Sequence, residues 1–527
     1  MTDSWIVLLP ALLVLVCAAL SHNVIISLIL GIISASLLAF DFALIPALSN
    51  SISTVMSVLR DAGNIYLFLF LICLGIIIEI MTHIGGITAY TKKLRTLVTT
   101  RRSAESMPLL LSWLFFLDDF LNGLTIGAIM RPLTDKLRIP RIKLAYLINS
   151  VSSAMCLIVP ATTWVAMILG QMESAGISDK LSDNPLIFAD PLKTYVLTIP
   201  YLLYPIVIIL AAWFVVQAGI SFGLMHEQEV IAQETGNVFG GKSPRKAEGD
   251  FGKKEGSIAG FLLPIGSFLG MVILCMLYSG DAAILGGSLD LVPALKNADS
   301  TWSLFFASAT TIALSLAVFI PQRLLSASEI NQSIKNGFST MKMSIVLLAL
   351  AYTFSAILRN DLQAGTYLAN LICGSLPLFI LPVIVFAVAT LTTAATGSSW
   401  GTIAILTPLT INTLAALALG ENMIPLSEIP LFYPVFGALL AGSCAGAHFS
   451  PITDSTVMAS TSTGSYHMDH VKSHISYALP VLIGTTVGFV LLGLLPSTQP
   501  LLSWGISMLS SIGISFGILM LCNVRKN

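Results

Sequence analysis

The chain has 527 residues, of which 55% are hydrophobic and only 10% charged, and its net charge is −1. Soluble domains carry roughly 25% charged residues, so this composition excludes a water-soluble globular protein and makes lipid the solvent. No basic block suggests nucleic acid as a partner, and the length allows ten or more crossings of about 20 residues each.

Eleven apolar segments are long enough, or nearly so, to cross as helices. They lie near 5–20, 23–40, 64–83, 144–171, 195–217, 258–278, 302–320, 341–358, 433–458, 475–495 and 501–522. The first lacks a positive region before it and runs straight into the second, so no cleaved signal peptide is expected. The cysteines (Cys17, Cys73, Cys156, Cys275, Cys373, Cys444 and Cys522) are scattered, mostly within apolar segments, and form no CxxC. Free buried thiols are expected, not disulfides or metal ligands.

Between the third and fourth segments the charge pattern conflicts with a simple crossing. Residues 92–105 hold Lys92, Lys93, Arg95, Arg101 and Arg102, and residues 131–143 hold Arg131, Lys136, Arg138, Arg141 and Lys143. Lys/Arg bias puts both in the cytoplasm, yet one apolar segment, 107–130, separates them. It carries Asp118, Asp119, Asn122 and Gly123 at its middle, which is costly on a lipid-facing helix. A re-entrant hairpin resolves both conflicts, its non-helical tip buried in protein. Residues 218–257 follow as the longest polar connection, read as a flexible cytoplasmic loop. Residues 378–408 are too long for one span and centre on Thr396-Gly397-Ser398-Ser399, so a second hairpin is expected, entering from outside. Loops 172–193, 279–300 and 409–432 then face outside, and loop 321–340 and the Arg525-Lys526 end face inside.

The two hairpins share sequence. Ala128-Ile129-Met130-Arg131-Pro132-Leu133-Thr134 aligns with Ala404-Ile405-Leu406-Thr407-Pro408-Leu409-Thr410, identical at five of seven positions. At the same spacing 64–83 falls on 341–358, and after one insertion SSAMCLIVPATTW (152–164) falls on SCAGAHFSPITDS (443–455). The expected fold class is therefore an all-α polytopic membrane protein, with about eleven transmembrane helices and two re-entrant hairpins in inverted repeats. Residues 1–217 form the first repeat, 218–257 the linker, 258–495 the second repeat and 496–527 an extra C-terminal helix. Four breaks should converge at the midplane: the tips near 118–123 and 396–400, and helices broken near Pro160 and Pro451.

Asp118 and Asp119 carry the sharpest chemistry. Carboxylates bind both Na⁺ and protons, so one group serving both makes them compete; the alternative is a structural carboxylate paired with Arg131 or another cation. Asp454, in HFSPITDST, is either a ligand at an unwound proline break or a cap of the following half-helix. Asn122, Thr125, Thr162, Thr163, Ser398 and Ser399 supply neutral oxygens near the breaks, with His448, Ser450 and Thr456 close by in sequence. Glu79 is intramembrane and a candidate proton relay, with His83 one turn on. His467, His470 and His474 fall in a predicted cytoplasmic loop and read as a solvated face. No nucleotide loop, GxSxG elbow or HExxH is present, and no enzyme, cofactor or resident metal is expected. An intramembrane hydrolase using Ser450, His448 and Asp454 is the alternative of a different class.

LDDFLNGLTIGAIMRPLTDKLRIPRIKLAYLI, TGSSWGTIAILTPL and GAHFSPITDSTVMASTSTG resemble the NhaC-type sodium/proton antiporter family of the ion-transporter superfamily, over about residues 60–490. The resemblance implies Na⁺/H⁺ exchange by elevator-like alternating access, a scaffold that often dimerises, and a bacterial plasma membrane. By matching position it nominates Asp118, Asp119, Asn122, Ser398, Ser399, His448, Ser450 and Asp454. The chain departs from the family where GDHCSPISDTT has become GAHFSPITDST, giving Ala447, and where DSTAAP has become NSVSSA, giving Asn149. Some relatives resemble organic-solute exchangers, so a cation-coupled carrier of an amino acid or dicarboxylate is the second expectation.

Overall fold

The computed structural model describes residues 5–21, 23–86, 89, 100–179, 185–244, 256–291, 294, 298–364, 367, 377–418, 423–495 and 499–523. Lys92, Lys93, Arg95, Asp183, Cys373 and the Arg525-Lys526 end lie outside them, as does the 245–255 stretch of the linker. The chain is an all-α polytopic membrane protein. Among the described residues, ten helices are long and apolar enough to cross a membrane, or eleven if one bent pair is counted as a span. Leu20, Ile45, Leu391, Leu501 and Leu521 each expose 70–87% of their surface, as side chains facing hydrocarbon do.

The elements differ from the expected spans in instructive ways. The first two segments give shorter apolar helices, Trp5–Val14 and Ile25–Ala39. A helix that the hydropathy reading missed, Leu44–Arg60, follows them. Its polar residues (Asn50, Ser51, Ser53, Thr54) interrupt the apolar run without breaking helical periodicity. The span at 341–358 belongs to a 34-residue helix, Ala327–Asn360, which starts with a capping box between Ser326 and Glu329. It crosses Ala62–His83 where Gly75 faces Gly337. A Cβ on Gly75 would sit 2.6 Å from the Gly337 carbonyl oxygen, so the two backbones touch there, as small residues allow in membranes.

Two helix–break–helix hairpins and two broken helices alternate along the chain. The first hairpin is Arg101–Ser112 and Asp119–Lys136; the first broken helix is Arg141–Ile158 and Thr163–Ser174, bent by 47°. The second hairpin is Leu381–Thr396 and Ser399–Leu417; the second broken helix is Phe432–Phe449 and Asp454–Thr463. The segment at 433–458 is thus not one span, because Pro451 ends it. Twelve residues rise about 18 Å, so the first arm, Arg101–Ser112, is too short to cross about 30 Å of hydrocarbon.

Buried charges fix the ends of the first hairpin on one side. Lys143 Nζ lies 2.7 Å from Glu229 and 2.9 Å from Glu105, and Arg101 lies 3.1 Å from Glu105 and 3.2 Å from Glu229. Glu229 belongs to Gly223–Thr235, so the connection read as a flexible loop carries a docked helix. At the same end, Arg141 donates to the Thr463 carbonyl, and Lys242 pairs with Asp469 at 2.6 Å. At another end, a three-stranded parallel patch joins Ile177–Ser178, Ile187–Phe188 and Ile424–Pro425. That patch brings loops 172–193 and 409–432 together.

Candidate functional site

Each broken helix is held across its gap in the same way. Thr162 Oγ1 donates to the Cys156 carbonyl at 2.8 Å and accepts from the amide of Val165 at 3.2 Å. Thr453 Oγ1 donates to the Ala447 carbonyl at 2.7 Å. In both, a threonine six residues on recovers a carbonyl that the break orphaned, with Pro160 or Pro451 between them.

The hairpin tips are built on the same economy. Asn122 is fully buried and bonds Ser112 twice, through Oδ1 at 3.1 Å and Nδ2 at 3.3 Å, tying arm to arm. In the second hairpin, Thr393 donates to Thr402 at 2.8 Å, and Ser398 caps its helix by accepting from Gly401 N at 3.0 Å. Gly397 turns the chain at φ 73°, and a Cβ there would lie 2.8 Å from Ile452. Only glycine meets both demands without strain. Ser399 Oγ donates to the Ser443 carbonyl at 3.0 Å, seating the tip on the second broken helix.

Asp119, Thr163, Ser399 and Asp454 are the first residues of four half-helices. The positive ends of their dipoles favour negative charge, and carboxylates are there to meet them. Asp118 accepts from Thr163 Oγ1 at 2.9 Å, and Asp119 accepts from Trp164 Nε1 at 3.0 Å. Asp118 and Asp119 are 5% and 7% exposed. Both line a cavity of about 260 Å³ with Asp454, Ser398 and Ser399. The indoles of Trp164 and Trp400 meet edge-on beside it, with ring centroids 6.3 Å apart. Thr340, Met341 and Leu347 of Ala327–Asn360 complete one wall. The cavity therefore lies between the two hairpin tips, the two broken helices and the long helix.

The other predicted residues fall behind this surface or away from it. Thr125 is buried in the first hairpin, its hydroxyl without a hydrogen-bond partner among the described residues. Ser450 and Thr456 are buried in the second break, where Thr456 Oγ1 donates to the Ala447 carbonyl at 3.0 Å and meets Asn149 Nδ2 at 3.2 Å. The two departures from the resembled motifs, Asn149 and Ala447, thus meet at one hydroxyl. His448 is fully enclosed, between the Tyr204 hydroxyl at 2.9 Å and the Asn149 carbonyl at 3.0 Å. Glu79 is not brought to the cavity: it pairs with His83 at 3.7 Å and accepts from Asn336 at 3.3 Å, partly exposed. His467, His470 and His474 do not form a solvated face. They begin the helix His467–Leu494, and His470 and His474 are fully buried. The hydropathy reading missed this because the helix starts eight residues before its apolar run. The tryptophans and Thr453 were also missed as cavity residues, although Trp164 and Trp400 each adjoin a nominated position.

A cavity that places three carboxylates among helix breaks within an apolar bundle is what a membrane transporter needs. The chain belongs to the Na⁺/H⁺ antiporter family, whose model matches residues 155–494. It is a secondary transporter, not an enzyme. It is 29% identical to an uncharacterized protein of Haemophilus influenzae over 492 residues, covering 92% of this chain and 90% of that one. A shorter stretch of 138 residues is 33% identical to the malate-2H⁺/Na⁺-lactate antiporter of Bacillus subtilis, covering 24% of this chain and 27% of that one. Among solved structures it is similar to Neisseria gonorrhoeae MtrF, of a class of antimetabolite efflux pumps (TM-score 0.46, 13% identity, 91% of this chain and 85% of that one). It is also similar to the YdaH transporter of Alcanivorax borkumensis (TM-score 0.43, 12% identity, 89% and 88%).

Proposed function

We propose that the protein exchanges Na⁺ for H⁺, with both ions competing for Asp118, Asp119 and Asp454, and Ser398 and Ser399 adding neutral oxygens. The observation that carries this is the convergence of three carboxylates and four half-helix N-termini on one cavity. Na⁺ takes hard oxygen ligands, and a carboxylate that loses Na⁺ is free to take a proton. The hairpins are re-entrant, the halves are inverted repeats, and the membrane is a bacterial plasma membrane. The cavity wall supplied by Ala327–Asn360 suits an elevator, in which the hairpins and broken helices move as a body against a scaffold. Purified protein in vesicles with an internal pH probe, pulsed with Na⁺, Li⁺ or K⁺ and no organic solute, tests the exchange. A sodium-driven pH change supports it; none, together with uptake of an organic solute, refutes it.

The size of the cavity favours a second reading. About 260 Å³ is many times one water's share of about 30 Å³, more than a dehydrated ion needs. A small organic solute fits, and similarity to a malate-2H⁺/Na⁺-lactate antiporter points the same way. Amino acids and dicarboxylates in the same vesicle assay separate the two.

A further inference from the structure

The cavity joins two kinds of lining. Asp118, Asp119 and Asp454 bring carboxylates to it, and Ser398 and Ser399 bring hydroxyls. Trp164, Trp400, Met341, Leu347 and Ile25 give it apolar surface. Met341 and Leu347 belong to Ala327–Asn360, and Ile25 starts Ile25–Ala39. The charged groups therefore come from the first hairpin and the second broken helix, and the aliphatic ones from helices outside the hairpins and breaks. A bare alkali ion uses only the first kind, because it is held by oxygens. The volume of about 260 Å³ has room for roughly eight water-sized groups, a short hydrocarbon chain as well as a head group.

The sign of the lining decides which head group fits. Among the described residues, the lining holds three carboxylates and no Lys, Arg or His. Lys342, next to Met341, is exposed and does not line it. The half-helix N-termini do not reverse this sign, because the chain already answers each of them. Asp119 and Asp454 stand at the first positions of their own helices, and Asp118 accepts from Thr163, the first residue of a third. The fourth is capped by Ser398, whose Oγ accepts from Gly401 N at 3.0 Å. A dicarboxylate entering here would meet three carboxylates and no lining cation to pair with.

A primary ammonium ion meets both kinds of lining. Its –NH₃⁺ group has one positive charge and three donors, so it can bond carboxylate and serine oxygens at once. Trp164 Nε1 donates to Asp119 at 3.0 Å, so an ammonium on that carboxylate sits close to an indole, and Trp400 meets Trp164 edge-on. Indole faces attract cations, the more so where water is excluded. The alkyl chain then leaves water for the apolar surface of Met341, Leu347 and Ile25.

We propose that the organic solute this cavity takes is a small primary ammonium ion, its head on the carboxylates and its chain against the indoles and the aliphatic wall. The proposal rests on the reading of the cavity as the cation site, so ammonium and Na⁺ exclude each other there. The experiment measures the thermal unfolding midpoint of the purified full-length protein in detergent at constant ionic strength, because a ligand that binds the folded state raises it. The probes are NaCl and the methyl-, ethyl-, n-propyl- and n-butylammonium chlorides. Each methylene should tighten binding about fourfold, and n-butylammonium should bind about 60-fold tighter than methylammonium. 4-Aminobutyrate, the same chain ending in a carboxylate, should bind about tenfold or more weakly than n-butylammonium, because it adds like charge. n-Butylammonium should raise the sodium concentration needed for half-maximal stabilisation. Trp400→Leu should lower the ratio of ammonium to sodium affinity about tenfold; if it does not fold, the wild-type series decides alone. Affinity that does not rise with chain length overturns the proposal. So does tighter binding of 4-aminobutyrate or malate, or ammonium binding that leaves sodium affinity unchanged. Sodium binding and sodium-driven proton flux without ammonium binding overturn the proposal and leave antiport standing. Protein that binds neither ion refutes the cation site and the proposal together.

Discussion

Replacing Asp119 with Asn separates a transport role from a structural one. The Asn side chain keeps the size, and its Oδ1 still accepts from Trp164 Nε1, now 3.0 Å from the carboxylate. What is lost is the difference between a charged and a neutral acceptor, about 1 kcal/mol, so the protein should insert and remain monodisperse. The effect on a bound cation is of another order. A unit charge about 4 Å away at an effective dielectric of 20 contributes about 4 kcal/mol, which is close to three decades in affinity. Asp118→Asn should behave alike, since Thr163 can still donate to its oxygen. The assay is sodium-driven proton flux at several sodium concentrations, beside thermal unfolding in detergent. Both variants transporting at near-normal rates would refute the reasoning and make the pair structural. Loss of transport accompanied by aggregation would leave the pair as a fold element first.

The remaining predictions use the same preparations. In wild-type protein the apparent sodium affinity should weaken as pH falls, because protons and Na⁺ claim the same carboxylates; an affinity independent of pH in sodium-uptake curves contradicts shared ligands. Thr162→Val keeps shape but leaves the Cys156 carbonyl without its threonine donor, so it should cost about 1–3 kcal/mol in unfolding experiments; Thr453→Val should cost less, because Thr456 still donates to the Ala447 carbonyl. Lys143→Met removes one cation from Glu105 and Glu229, whose side chains are 6% and 0% exposed, and leaves Arg101 shared between the two carboxylates. Breaking such a buried pair costs about 3–5 kcal/mol, seen as lost yield of folded protein, and adding Glu229→Gln should recover part of it.

Much of this architecture was legible because lipid makes sequence simple. Apolar runs marked the long helices, and Pro160, Pro451 and the Thr396-Gly397-Ser398 centre marked the breaks, because helical hydrogen bonds cannot be given up in hydrocarbon without a reason. Asp118 and Asp119 were legible as cavity residues for the same reason. Hydropathy misled where a helix is not uniformly apolar. Leu44–Arg60 is amphipathic, His467–Leu494 begins in a polar stretch, and Gly223–Thr235 is polar on the outside while holding Glu229 inside. Glu79 lies within a span yet is partly exposed, because depth in a span is not depth in the protein. Asn336 donates to it from Ala327–Asn360, and Glu79 does not line the cavity.

The two halves, matched in their breaks, differ in charge, and the difference bears on how exchange works. Thr162 and Thr453 occupy equivalent places, so the residues after them, Thr163 and Asp454, do too. In the first half that place holds a hydroxyl that donates to Asp118; in the second it holds a carboxylate open to the cavity. The first hairpin tip answers with Asp118 and Asp119, and the second with Ser398 and Ser399. Each half thus contributes acid from one element and hydroxyls from the other, and the cavity collects one acidic element from each. A cation held between Asp119 and Asp454 would bind both halves at once. Its departure would leave like charges facing each other, which a proton relieves more cheaply than separation of the halves. On the proposed exchange, sodium and protons would share this site, and the empty, doubly charged state would be the one to avoid.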